Sequence, residues 1–139
     1  MSQLSEFVEI PTNVGDLAAN SDAVFYLLYI VPQGKFLYVD NAYLSAKVAV
    51  SAANTNYNTI ALRNNSTSAA AIASLVTGPA SGGTTIPQTG VEFTTYTDAN
   101  RKVGSASAAT KIYLTSTKTL NGLAVTGLGV IIIGRWIPN

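Results

Sequence analysis

Residues Val125–Ile137 read VTGLGVIIIGRWI, with Ile131, Ile132 and Ile133 side by side and Trp136 close behind. A strand with one face in water alternates apolar and polar residues, because successive side chains point to opposite faces. This stretch does not alternate. Leu128, Val130, Ile132 and Trp136 mark one face, and Ile131, Ile133 and Ile137 mark the other. Both faces are apolar, so both require cover. The run is β-branched and far shorter than the ~20 residues of a membrane-spanning helix.

Working back from it, short β-type runs alternate with turn residues. Ala23–Val31 is apolar on both faces and is stopped by Pro32-Gln33-Gly34. Residues 35–51 alternate, with Leu44, Ala46, Val48 and Val50 on one side and Ser45, Lys47 and Ser51 on the other. Asp40-Asn41 suggests a bend or bulge inside that run. Further strands are expected at 59–63, 69–77, 90–97 and 110–117, with Ile60, Leu62, Val91, Phe93, Ile112 and Leu114 inward. No convincing amphipathic helix and no internal repeat are present. Residues 1–22 read as an N-terminal arm. Phe7, Val8 and Ile10 suit a short edge strand, broken by Pro11, Asn13, Gly15 and Asp16.

Composition narrows the function classes. Hydrophobic residues are 47% of the 139, enough for one domain with a real core. Charged residues are only 11%, against roughly 25% in an average soluble protein. Net charge is +1 and the charges are scattered singly, which speaks against nucleic acid and anionic membranes as partners. The start, MSQLSEFVEI, is too polar for a signal peptide. Cysteine and histidine are absent. Disulfides, thiolate and imidazole metal ligands, and the commonest general base go with them.

What remains gives weak chemistry. Glu6, Glu9, Asp16, Asp22, Asp40, Glu92 and Asp98 show no spacing that recommends a catalytic pair. Ser116 with Lys118, and Ser107 with Lys111, are the nearest Ser–Lys pairs, in a Ser/Thr-rich background. Gly127-Leu128-Gly129 lacks the strand–loop–helix setting of a phosphate cradle and reads as a twist or a close backbone approach. Asp98-Ala99-Asn100 offers two oxygen ligands, too few for calcium. The seven tyrosines lack the neighbouring basic residues that base stacking requires. We therefore expect no enzyme, no catalytic residues, no cofactor, no metal and no small-molecule substrate.

The expected fold is all-β: a single-domain, jelly-roll-like β-sandwich of about eight antiparallel strands (residues 23–139) behind the arm (residues 1–22). A jelly roll makes its first and last long strands neighbours. With Ala23–Val31 taken as the first, it pairs with Val125–Ile137 and the two share an apolar outer face. Phe25, Leu27, Tyr29, Ile131, Ile133 and Ile137 are then the candidate subunit interface. The arm is the other candidate cover for that face.

The whole-chain layout resembles a known family. The arm and first strand lead to PQGKFLYVDNAYLSAKVAV at 32–50, then NTIALRNN at 58–65. GVEFTTYTDANRKV follows at 90–103, and KIYLTSTKTLNGLAVTGLGVIIIGRWIP at 111–138. This order of strands and loops, with a Thr-rich penultimate strand before an apolar last one, is similar to the jelly-roll decoration, or cement, proteins of tailed-bacteriophage heads. The resemblance implies a non-enzymatic protein of the virion, on the outer surface of the capsid. It implies two partners: the major capsid protein, and itself as a homotrimer or dimer. Phe7, Val8 and Ile10 become candidate capsid-contacting residues of the arm. A carbohydrate-binding β-sandwich of a phage tail or adhesin is the alternative.

Overall fold

The structure, a computed structural model, describes residues 6–78 and 82–138; for Glu6 and residues 23–28 it describes the backbone alone. Ten strands are described: β1 (Glu6–Leu17), β2 (Ala23–Val31), β3 (Phe36–Ser45), β4 (Tyr57–Asn64), β5 (Ala71–Val76), β6 (Val91–Glu92), β7 (Thr95–Tyr96), β8 (Lys102–Gly104), β9 (Thr110–Thr119) and β10 (Val125–Ile137). One sheet runs β1-β10-β3, with β6 and β8 both on the far edge of β3. The other runs β2-β9-β4-β5-β7.

The pairs β1·β10, β2·β9 and β3·β8 are nested in sequence, and β4·β5 closes them as a hairpin. Successive pairs fall in alternate sheets, and the rolling brings β10 beside β3 and β9 beside β4. That winding is a jelly roll. The all-β sandwich expected from the sequence is the fold.

Its first strand is not the expected one. Ala23–Val31 lies in the second sheet and pairs with β9, while β1 occupies the place beside β10. The rule that first and last strands meet holds, but the first strand is Glu6–Leu17. Pro11, Asn13, Gly15 and Asp16 hide it in the sequence, and they are tolerated because β1 is an edge strand. The stretch read as an arm is thus, from Glu6 to Leu17, part of the sandwich, with Ile10 and Leu17 in the core.

Between the sheets, Leu37, Val39, Ala42, Leu44, Val130 and Ile132 meet Ile60, Leu62, Ile72, Leu75, Ile112 and Leu114, all buried. Each full-sized side chain of this kind contributes roughly 1.5–3 kcal/mol on burial. The run at 90–97 is two short strands rather than one. The Phe93 N–H donates to Ala42 O of the first sheet (2.9 Å) and the Thr94 N–H to Ser74 O of the second (3.1 Å). The chain changes sheets there, and the Phe93 ring fills the gap. β3 ends at Ser45, short of the expected 51. Val48 is therefore 58% exposed instead of inward, although Val50 still bridges to Ile86.

Candidate functional site: the outer face of the first sheet

In an antiparallel sheet, residues directly opposite each other point to the same face. The register therefore writes out the outer face of the first sheet row by row. Pro11, Ile131, Tyr43 and Glu92 form one row; Glu9, Ile133 and Asn41 the next. Phe7, Arg135, Tyr38 and Lys102 follow, then Ile137, Phe36 and Gly104. The intervening β10 residues, Leu128, Val130 and Ile132, are buried in the core. The two faces of β10 are divided as the sequence indicates.

The rows stay aligned because β3 carries a bulge where one was expected. Pairing passes from Asn41↔Ile133 to Val39↔Gly134, so Asp40 is the extra residue. The outer face is half-buried at Ile131, Ile133 and Ile137 and strongly exposed at Phe7, which shows 78% of its surface. Two shallow hollows lie on it. One, of about 360 Å³, is lined by Glu9, Tyr43, Gln88, Thr89, Ile131 and Ile133. The other, of about 330 Å³, is lined by Pro11, Asn13, Gly129 and Ile131. They share Ser45 and Ile131 and so form one trough across β1, β10 and β3.

The remaining residues singled out from sequence are redistributed. Tyr29 is not on an outer face. It pairs with Ile112, packs against the core, and sits 6.3 Å from Trp136 at an interplanar angle of 48°. The Phe25 and Leu27 side chains lie outside the described residues. Ile10 is buried and Val8 is packed against the core, which leaves Phe7 alone of the three arm residues on the surface. Isoleucines 131, 133 and 137 keep their assigned face, but their neighbours are β1 and β3 rather than β2.

Aromatic rings and cations meet more often than the sequence indicates. Arg135 lies 5.1 Å from the Tyr38 ring centre, Lys102 4.5 Å from Phe36, Arg101 4.3 Å from Tyr96 and Lys35 5.6 Å from Trp136. A chain of this length ordinarily holds about two such contacts. The expectation that tyrosines lack basic neighbours is thus corrected. Three of the four pairs join segments far apart in sequence, which spacing along the chain does not reveal, while Arg101 follows Tyr96 by five residues.

The polar groups elsewhere are engaged in structure. Ser116 is buried and its hydroxyl accepts from Asn58 Nδ2 (2.9 Å), while Lys118 Nζ donates to Leu120 O (3.1 Å). The Ser107 hydroxyl is 3.2 Å from that of Ser105. Ser116 and Lys118 are thus each engaged with other partners. Asp16 accepts the Gly127 N–H (2.8 Å), and Asp22 the Lys118 N–H (2.8 Å). Gly127 has φ +63°, and a Cβ there would lie 2.6 Å from Lys47 Cβ, so the GxG marks a close backbone approach. Asn100 Nδ2 donates to Ala71 O (3.0 Å) and Asp98 lies 3.0 Å from Arg101 Nε, which commits both residues of the Asp-Ala-Asn run.

Tyr96 ties the sheets together beside the trough. Its hydroxyl accepts the Ala42 N–H (2.9 Å) and lies within donating reach of Glu92 Oε2 (3.1 Å) and Ala42 O (3.2 Å). Burial, reinforced by the Glu92 carboxylate, pushes the phenol up to about 12, against an opposing pull from the Ala42 backbone bond. Asn41 Nδ2 also donates to Glu92 Oε2 (2.9 Å).

Comparison with known protein families and with curated proteins finds no match to this sequence.

Proposed function

We propose that this chain is a capsid decoration protein, a non-enzymatic brace that docks on a protein shell and on copies of itself. The observation that carries the reading is the outer face of the first sheet. There Ile131, Ile133 and Ile137 are only half-buried, and a trough crosses three strands. An apolar patch of this kind on a sandwich serves association. The open edge of β1 is a poorer interface. Pro11 supplies no N–H, and register shifts around Gly15 break the ladder, two devices that discourage strand addition. The jelly-roll winding and the likeness of strand and loop order to phage-head decoration proteins support the same reading. A homotrimer or dimer on a symmetry axis then multiplies modest contacts by avidity.

The test contrasts the two faces of β10. Ile131→Asp and Ile133→Asp are expected to leave folded chains that no longer self-associate in sedimentation velocity and no longer co-sediment with phage heads. Ile132→Asp is expected to unfold the chain, at several kcal/mol for an unpaired buried charge. A native chain that is monomeric and never co-sediments with heads overturns the reading. The competing reading, a glycan-binding module, draws on Tyr43, Gln88 and Thr89 around the same hollow. Glycan-array binding by the native chain, lost in Tyr43→Ala, would establish it instead.

A further inference from the structure

Phe7, Arg135, Tyr38 and Lys102 stand in one row across β1, β10, β3 and β8. Aromatic and cationic side chains alternate along it. Both cations rest on rings, Arg135 on Tyr38 and Lys102 on Phe36 in the adjoining row. Among the described residues, neither has its donors filled. The ionic neighbour of Arg135 is Asp40 at 3.4 Å, well beyond the 2.7–2.9 Å of a charge-assisted hydrogen bond, and Arg135 Nε is buried without a hydrogen-bond partner. Lys102 is exposed, and among the described residues the contact of its ammonium group is the Phe36 ring. A cation held against a ring has already lost part of its hydration and rotamer freedom. Capturing an anion then costs less than it would for a solvated side chain.

We propose that this row receives carboxylates from an acidic, otherwise apolar polypeptide segment of the partner that docks on the outer face. The inference rests on the docking reading above and names the chemistry of the docked segment. Nucleic acid fits less well. Glu9 stands one row away and Asp40 beside Arg135, and a phosphodiester chain, charged at every unit, would meet both. An acidic glycan fits less well, because the neighbouring rows present Ile131, Ile133 and Pro11, which call for apolar side chains. A peptide carries both: apolar side chains for the isoleucines and separate carboxylates for the cations. Arg135 and Lys102 are two strand spacings apart, about 9.6 Å. In a polyproline II segment, with three residues per turn and a rise of about 3.1 Å, acidic residues three apart lie on one face and span about 9.3 Å.

Fluorescence anisotropy with a labelled short peptide tests this. The peptide carries two Glu three residues apart among Phe, Ile and Ser. Native chain is expected to bind it, with affinity falling about tenfold from low to high salt. Arg135→Gln and Lys102→Gln should each weaken binding about tenfold, as should replacing the two Glu of the peptide by Gln. Arg135→Lys and Lys102→Arg, which keep the charge, should retain most of it, and Lys111→Gln on the other sheet should change nothing. Circular dichroism melts confirm that each variant is folded. No peptide binding by native chain, binding by both Gln variants undiminished from the native chain, or tighter binding of oligothymidylate or hyaluronate overturns the proposal. Peptide capture by a chain that never co-sediments with heads would sink the decoration reading and leave the row's ligand class standing. Head binding that needs Ile131 and Ile133 but tolerates both Gln variants would do the reverse.

Discussion

At Asp40 a single extra residue reconciles two demands on β3. Leu37 and Val39 on one side of it, and Ala42 and Leu44 on the other, all point into the core. Without the bulge one pair would face water. With it, Tyr38 comes to lie beside Arg135. Gly134 is the other half of this arrangement, since a Cβ there would lie 2.6 Å from the Tyr38 carbonyl oxygen. Gly134→Ala is expected to lower stability by about 1–3 kcal/mol, read from urea midpoints. An unchanged midpoint would mean that the bulge relaxes freely. Tyr96 makes a prediction in pH. Its phenol is raised to about 12 in the folded chain, from 10.0 as the unperturbed value. Below pH 10 both states hold the proton, and the stabilisation is fully present. Between these values the unfolded chain releases it while the folded chain keeps it, so stability falls as pH rises. Tyr96→Phe should remove that part of the alkaline slope in denaturation curves. It should also cost about 1–2 kcal/mol at neutral pH, because the Ala42 N–H loses its acceptor. The bulge was legible in the sequence, since Asp and Asn interrupt an apolar alternation. The Tyr96 tie was not, because its partner lies 54 residues away on the other sheet.

At the scale of elements, β1 separates what patterning reveals from what it hides. Ala23–Val31 and Val125–Ile137 read true to the residue, because long β-branched and aromatic runs advertise themselves. β1 reads EFVEIPTNVGDL, whose second half is interrupted by Asn13, Gly15 and Asp16. Only tertiary pairing with β10 makes it a strand, and pairing partners are invisible to local propensity. The same blindness put β2 beside β10 and placed Tyr29 on an outer face. An attachment arm and a structural strand respond differently to truncation, which gives the prediction. Leu17→Ala should cost about 2–5 kcal/mol in chemical denaturation, as for other buried leucines. Removing residues through Leu17 should yield insoluble or unfolded chain, because it strips one edge of β10 and two core side chains. A soluble truncated chain with the native melting temperature would return β1 to the status of a detachable arm.

At the scale of the whole molecule, the winding sets how the fold can form. Few of its pairings are local. β4·β5 is a hairpin, but β1·β10 joins Glu6 to Trp136 and β2·β9 joins Ala23 to Ser116. Each distant pairing costs loop-closure entropy before it returns contact energy, so topologies of this kind fold slowly for their size. The nesting also sets an order. β3, β4, β5 and β9 can assemble around Leu37, Ile60, Leu75 and Leu114 before the chain ends arrive, and the edge strand β1 can add only once β10 has paired with β3. Trp136, the single tryptophan, reports that last stage, because it stands opposite Glu6 on β1 and Leu37 on β3 and packs near Tyr29. Stopped-flow refolding followed by its fluorescence should therefore be slow, on the order of milliseconds to seconds or longer. It should also lag behind the far-ultraviolet circular dichroism signal of the sheets. Leu17→Ala should leave the refolding rate nearly unchanged and speed unfolding, the pattern of a residue absent from the transition state. Full recovery of the tryptophan signal in less than a millisecond, or a Leu17→Ala effect confined to the folding rate, would place the closure of the chain ends early instead of last.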